Sequence, residues 1–357
     1  MKLGLAGLLI ILSSMAMAED AYQLLRSDPT GFAKVVPGKT LVFPEDHLPH
    51  KDYRIEWWYI TANLLDDKGQ AYGLQWTLFR QSMNPQSDPG DWASNQVWMA
   101  HGALSTPDGH VYEERFSRGG TGQANVQWTK GEVFEAFLDD WSLTGESRAM
   151  LPAELVFTVD DFKIKLFLTS QTPLVLQGEK GYSVKSALGQ ASYYYSQPHL
   201  SVSGQITTET DDIAVSGKGW IDREWSSQPL AKNQPGWDWL SLHLDDGHAL
   251  MVYRLRQDDG DHWVSGSWVS PDGEATTLQK SDIKIEPLGA QSVATGDGKR
   301  RDLPLRWRIE LPGKGLTWTV SPQSADHWLN TAFPYWEGPV EVTGSTDGVG
   351  FMELTGY

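Results

Sequence analysis

Apolar and polar residues alternate in short runs along nearly the whole chain from Arg54 onward. Tyr72–Arg80, Val97–Leu104, Leu155–Thr169, Leu250–Arg256, Val264–Val269, Leu305–Leu311 and Leu316–Val320 all carry the two-residue period of a half-buried β-strand. Asp67-Lys68-Gly69, Pro107-Asp108-Gly109, Asp246-Gly247, Asp259-Gly260 and Pro271-Asp272-Gly273 punctuate them with residues suited to tight hairpin turns. No long stretch keeps a 3.6-residue apolar period, so the pattern predicts an all-β antiparallel meander with few, short helices. Residues 19–50 hold Pro29, Pro37, Pro44 and Pro49 with few periodic apolar positions, and read as an irregular arm.

The meander occurs twice. Trp57-Trp58-Tyr59-Ile60 and the acidic turn after it match Trp237-Asp238-Trp239-Leu240 and the turn at Asp245-Asp246-Gly247. The first copy closes with PHLSVSG from Pro198 and GKGWIDREW from Gly217; the second closes with GPVEVTG from Gly338 and VGFMELTGY from Val349. Trp220-Ile221-Asp222 then falls on Phe351-Met352-Glu353. A period this long marks duplicated domains, each a barrel or a strongly bent sheet, since closure removes exposed strand edges. The polar, proline-bearing stretch Ser226–Gly236 reads as the linker, giving domains at 51–228 and 229–357. A single large sandwich is the alternative.

Composition adds three constraints. The first eighteen residues combine one positive charge, an apolar run from Leu3 to Leu12 and an Ala16-Met17-Ala18 cleavage pattern, so residues 1–18 are expected to be a signal peptide and the protein exported, periplasmic or secreted. Cysteine is absent and the net charge is -17, which excludes disulfide or thiolate chemistry and argues against nucleic acid or anionic membranes as partners. The chain holds 17 Trp, 12 Tyr and 11 Phe, more than core filling requires, and such flat rings suit a pocket for an extended apolar ligand, although they also favour strands.

Within GKGWIDREW, alternation puts Trp220, Asp222 and Glu224 on one face and Ile221, Arg223 and Trp225 on the other. If the first face points into a barrel, desolvation raises the Asp222 pKa and makes it an acid at neutral pH; the plainer reading is an ion pair with Arg223 or another arginine. Glu353, in the same phase of the second copy, is equally compatible with an architectural role. Tyr193 and Tyr195, with His199 after the proline, are candidates to orient a substrate or face a cationic centre. Trp57, Trp58 and Tyr59 are candidate ligand contacts, with Glu56 read as the partner of Arg54. His101 and His243 sit on apolar strands where a satisfied core histidine competes with a functional one. Trp237 and Trp239 complete the aromatic set. The sequence has no G-x-S-x-G elbow, H-E-x-x-H, Walker loop or dinucleotide fingerprint, and no histidine spacing suited to a metal. No cofactor is expected.

The blocks RIEWWYITANL, WMAHGALS, YYYSQPHLSVSG, GKGWIDREWSSQ, GWDWLSLHLDDGHALMVYRLR, YWEGPVEVTG and GFMELTGY resemble the AttH/CrtC family, over essentially the whole chain after about residue 40. The resemblance implies two tandem lipocalin-like β-barrel domains. Family members include carotenoid 1,2-hydratases, fungal pericyclases, and bacterial proteins described as secreted hydrolases and encoded beside an ABC-type permease. By resemblance Trp220-Ile221-Asp222 stands where the hydratases carry a Tyr-x-Asp with the catalytic acid, and Tyr193 and Tyr195 stand where they carry a His-x-Trp pair. The implied function is binding of a lipid- or isoprenoid-like ligand by a monomer, in an aromatic-lined barrel or inter-barrel pocket, as partner to an export system. The alternative is an acid-catalysed hydratase, hydrolase or cyclase, with Asp222 as proton donor and Glu224, Tyr193 and Tyr195 assisting.

Overall fold

A computed structural model describes residue 23 and residues 25–357; the expected signal peptide lies outside these residues. The fold is all-β and built from two large antiparallel sheets. The first has thirteen strands, with Gly109–Arg118, Gln96–Thr106, Ala71–Ser82, Ile55–Asp66, Asp212–Ser226 and Ala191–Thr207 in adjacent order and the shorter strands continuing beyond. It curls until Gln96–Thr106 and Gly109–Arg118 touch Phe134–Leu138 and Ala153–Val159, which makes a nearly closed barrel. The second sheet has ten strands, with Ala249–Leu255, Trp237–Leu244, Gly348–Thr355 and Tyr335–Gly344 in adjacent order. This is the tandem barrel arrangement that the duplicated pattern predicts.

Each barrel has its own core. Trp58, Ile60, Trp76, Leu78, Trp141 and Ile221 fill the first, and Leu240, Leu242, Trp307, Trp318, Trp336 and Met352 fill the second. Burying each such side chain stabilises the fold by about 1.5–3 kcal/mol. The first barrel also encloses charge: Glu56 accepts hydrogen bonds from Arg80 and Arg223, and Arg223 lies 3.8 Å over the Trp58 ring. Burial alone would raise the Glu56 pKa, but the two guanidiniums outweigh it and hold Glu56 ionised, far below the ordinary range. This corrects the sequence assignment of Glu56 to Arg54, whose guanidinium instead donates to Ser27 and to the Asp28 carbonyl.

The duplication is visible in the ladders. Ile55–Asp66 lies between its hairpin partner and Asp212–Ser226, and Trp237–Leu244 lies between its hairpin partner and Gly348–Thr355. Tyr59 pairs with Asp222 in one copy, and Trp239 with Glu353 in the other. Because side chains alternate, the residues left outside each barrel by this register form a second layer. These outer faces pack against each other through Tyr59, Tyr194, Trp220, Trp239, Tyr253 and Phe351, forming a third apolar cluster between the domains. The approach is close: a Cβ on Gly73 of the first sheet would lie 2.6 Å from Cγ of Pro339 of the second.

Candidate functional site

Strand pairing brings one face of Asp212–Ser226 to the domain interface, and that face carries Trp220, Asp222 and Glu224. The barrel interior receives Ile221 and Trp225 of the alternate phase. The grouping of indole and carboxylates is therefore as the alternation predicts, but the face points out of the first barrel and against the second domain. Between the domains lies a cavity of about 260 Å³. Its first-domain wall includes Trp57, Tyr59, Phe79, Tyr194, Asp222 and Glu224; its second-domain wall includes Trp237, Trp239, Tyr253, Tyr335, Glu337 and Glu353.

Asp222 is buried, and three donors reach its carboxyl group. Trp220 Nε1 donates at 2.7 Å and the Ser196 hydroxyl at 2.5 Å to Oδ1, while the Tyr194 hydroxyl donates to Oδ2 at 2.6 Å. Neighbouring strands supply these donors, because Ser196 stands directly opposite Asp222 in the ladder and Tyr194 opposite Glu224. Trp239 Nε1 of the second domain donates to the Tyr194 hydroxyl at 3.3 Å, so a relay crosses the interface. Burial outweighs the three donors, and with the Glu224 charge nearby it pushes the Asp222 pKa from 3.8 up to about 7.

Four further ionisable groups surround it. Glu224 accepts from Ser192 and pairs with Lys185 Nζ at 2.8 Å. Burial alone would lower the Lys185 pKa, but the Glu224 carboxylate raises it above its ordinary value. On the second-domain wall, Glu337 and Glu353 stand opposite each other in adjacent strands. Burial raises both, Glu353 to about 7, and their mutual repulsion adds to the effect for Glu337. Tyr59 donates across the interface to Glu337 Oε1, and Trp237 Nε1 donates to Glu353 Oε2 at 3.1 Å. The acids matched by the repeat, Asp222 and Glu353, thus share one cavity.

Of the residues singled out from sequence, Asp222, Glu224, Trp57, Tyr59, Trp237 and Trp239 line the cavity. Trp220 stands behind Asp222 as its donor. Tyr193 and Tyr195 point the other way: Tyr193 bonds the backbone of Val36, and Tyr195 lies 2.6 Å from His47 Nδ1. Trp58 is likewise inside the first barrel and donates to the His47 carbonyl. His101 faces the second domain at the edge of the site, between Tyr335 at 2.9 Å and Glu114 at 3.0 Å. His199 is tied to the Ser270 carbonyl at 2.9 Å, and His243 packs on Trp220; neither lines the cavity. Sequence reasoning missed Tyr194, Lys185 and Glu337. Tyr194 carries a signal in hindsight, since among three consecutive tyrosines only the middle one shares the phase of Ser196. Among the described residues no cluster of three His, Cys, Asp or Glu is arranged to hold a metal, and no helix is long and apolar enough to cross a membrane.

The fold and the acid-lined inter-domain cavity define a class of tandem β-barrel proteins in which two sheets join around one site. The chain belongs to the AttH-like family, whose model matches residues 34–357. It is similar to a crystal structure assigned as an AttH from Nitrosomonas europaea, with 35% identity over 91% of this chain and 100% of that one and a TM-score of 0.78. It also shares its fold with kievitone hydratase from Nectria haematococca, at 13% identity over 91% of this chain and 96% of that one, TM-score 0.67. CghA crystallised with Sch210972 has the fold too, at 13% identity over 92% and 97%, TM-score 0.56. No protein among curated sequences matches the chain.

Proposed function

We propose that the protein takes an apolar small molecule into the inter-domain cavity and acts on it by acid catalysis, with Asp222 as the proton donor. The observation that carries this reading is a carboxyl group in an aromatic-walled cavity whose pKa stands at about 7. A general acid works best when its pKa lies near the working pH. Its Oδ2 is the oxygen for the task, because it engages one donor while Oδ1 engages two. In the step proposed, the Asp222 O–H bond breaks as a C–H bond forms on an alkene carbon. The cation left on the neighbouring carbon faces aromatic rings, where ring quadrupoles stabilise it. Water adds to that carbon, and the proton it loses restores the Asp222 carboxyl group, so the sum is hydration. That a protein named as a hydratase shares the fold supports the reaction class.

In this reading the mature chain works outside the cytoplasm, after removal of residues 1–18, in association with a permease. One observation favours a second reading, a carrier that holds its ligand unchanged: both oxygens of Asp222 are already engaged by protein donors. Native mass spectrometry of the protein purified from its own host, beside Asp222→Asn, separates the two. Product on the wild type and unreacted substrate on the variant supports catalysis; the same intact molecule on both supports carriage.

A further inference from the structure

We propose that the molecule held in the cavity carries a protonated nitrogen on an apolar body, and that Glu337 and Glu353 of the second domain bind that ammonium group. The inference rests on the reading of the cavity as a ligand site. Lys185 is the cationic side chain among the described residues lining the cavity, and Glu224 engages it at 2.8 Å. Asp222, Glu337 and Glu353 remain, with no salt bridge to lysine or arginine among the described residues. Glu337 is 2% exposed; its Oε1 takes the Tyr59 hydroxyl, and Tyr335 is a second donor to the carboxyl group. Glu353 stands directly opposite it in the ladder, where paired side chains lie about 5 Å apart at Cβ.

Burying carboxyl groups without a counter-ion is costly. A ligand ammonium offsets this cost by supplying the positive charge that the pair lacks. The surrounding walls suit it, because Tyr59, Trp237, Trp239 and Tyr253 offer ring faces to a cation. The groups facing the pair are Tyr59, Asp222 and Glu224 from the first domain and Tyr335 and Trp237 from the second. None of them carries a positive charge. Burial raises the pKa of both acids, so an ammonium that favours their charged form is expected to displace a proton into solvent.

The test is calorimetric titration of the full chain at pH 7 with 4-phenylbutylamine and with its uncharged analogue 4-phenylbutan-1-ol, in two buffers of different ionisation enthalpy. The amine is expected to bind at least about tenfold more tightly than the alcohol and to release up to about one proton. Glu337→Gln is expected to abolish that preference. Equal affinity for the two compounds on the wild type overturns the ammonium inference while leaving the cavity as a ligand site. A preference that survives in both Glu337→Gln and Glu353→Gln overturns it as well. Failure of both compounds to bind, and of an unrelated apolar probe beside them, contradicts the cavity reading itself.

Discussion

The Tyr59 hydroxyl donates to Glu337 across the domain interface, joining the first strand of one barrel to a late strand of the other. The same tyrosine stands opposite Asp222 in its own sheet. A residue of the N-terminal domain thus touches the acidic groups of both walls, and the two domains form one site.

Tyr59→Phe should cost stability, because it removes a donor from a buried carboxyl group. Loss of a hydrogen bond to a buried polar group costs about 1–3 kcal/mol. Urea denaturation should show a lower midpoint with little change in slope; an unchanged midpoint would mean that the contact carries no energy.

The first barrel's ion cluster should prove structural, and distinct from the cavity acids. Glu56→Gln leaves Arg80 and Arg223 buried without their carboxylate, a change that costs about 3–5 kcal/mol. The expected result is a strongly destabilised protein whose remaining folded fraction still binds cavity ligands.

The cavity acids should make stability depend on pH in a recognisable direction. Asp222 has a folded-state pKa of about 7 against 3.8 when unfolded, so the native state binds more protons between those values. Stability from this group is therefore greatest below about pH 4, is lost as the pH rises towards 7, and is constant above; the full shift is worth up to about 4 kcal/mol. Glu353, also raised to about 7, acts in the same direction. In Asp222→Asn the difference in unfolding free energy between pH 5 and pH 8 should shrink; an undiminished difference would assign the effect to the other acids.

Filling the cavity should block ligands without unfolding the protein. Met99 is half-buried on the first-domain wall, and Met99→Trp extends into the open space. We expect at least about a tenfold loss of affinity for an apolar probe with a stability change below about 1–3 kcal/mol, the usual range for overpacking. Undiminished binding would place the ligand elsewhere.

Much of the fold was legible because strand alternation, turn residues and a long internal repeat are local or directly comparable signals. The phase of Trp220, Asp222 and Glu224 was legible for the same reason. Which side of the sheet that phase faces was not, because aromatic residues occupy both sides: Trp58, Tyr193, Tyr195 and Trp225 inside, Trp57, Tyr59, Tyr194 and Trp220 outside. Alternation alone does not tell a barrel core from an inter-domain layer. Only the pairing register, with Ser196 opposite Asp222, selects Tyr194 from its two neighbours. Lys185 and Glu337 reach the site from distant segments that carry no motif. Glu353 was visible as the repeat partner of Asp222, but its role depends on how the domains pack.

On the proposed reading, Asp222 gives up a proton near neutral pH. Carboxyl carbon-13 NMR of protein labelled at aspartate, with Asp222→Asn to assign the resonance, measures this directly. The structure predicts a midpoint near 7, moved higher in Tyr194→Phe, which loses a donor to the charged form, and unmoved in Tyr195→Phe. A midpoint near 4, or one indifferent to Tyr194, would contradict the account.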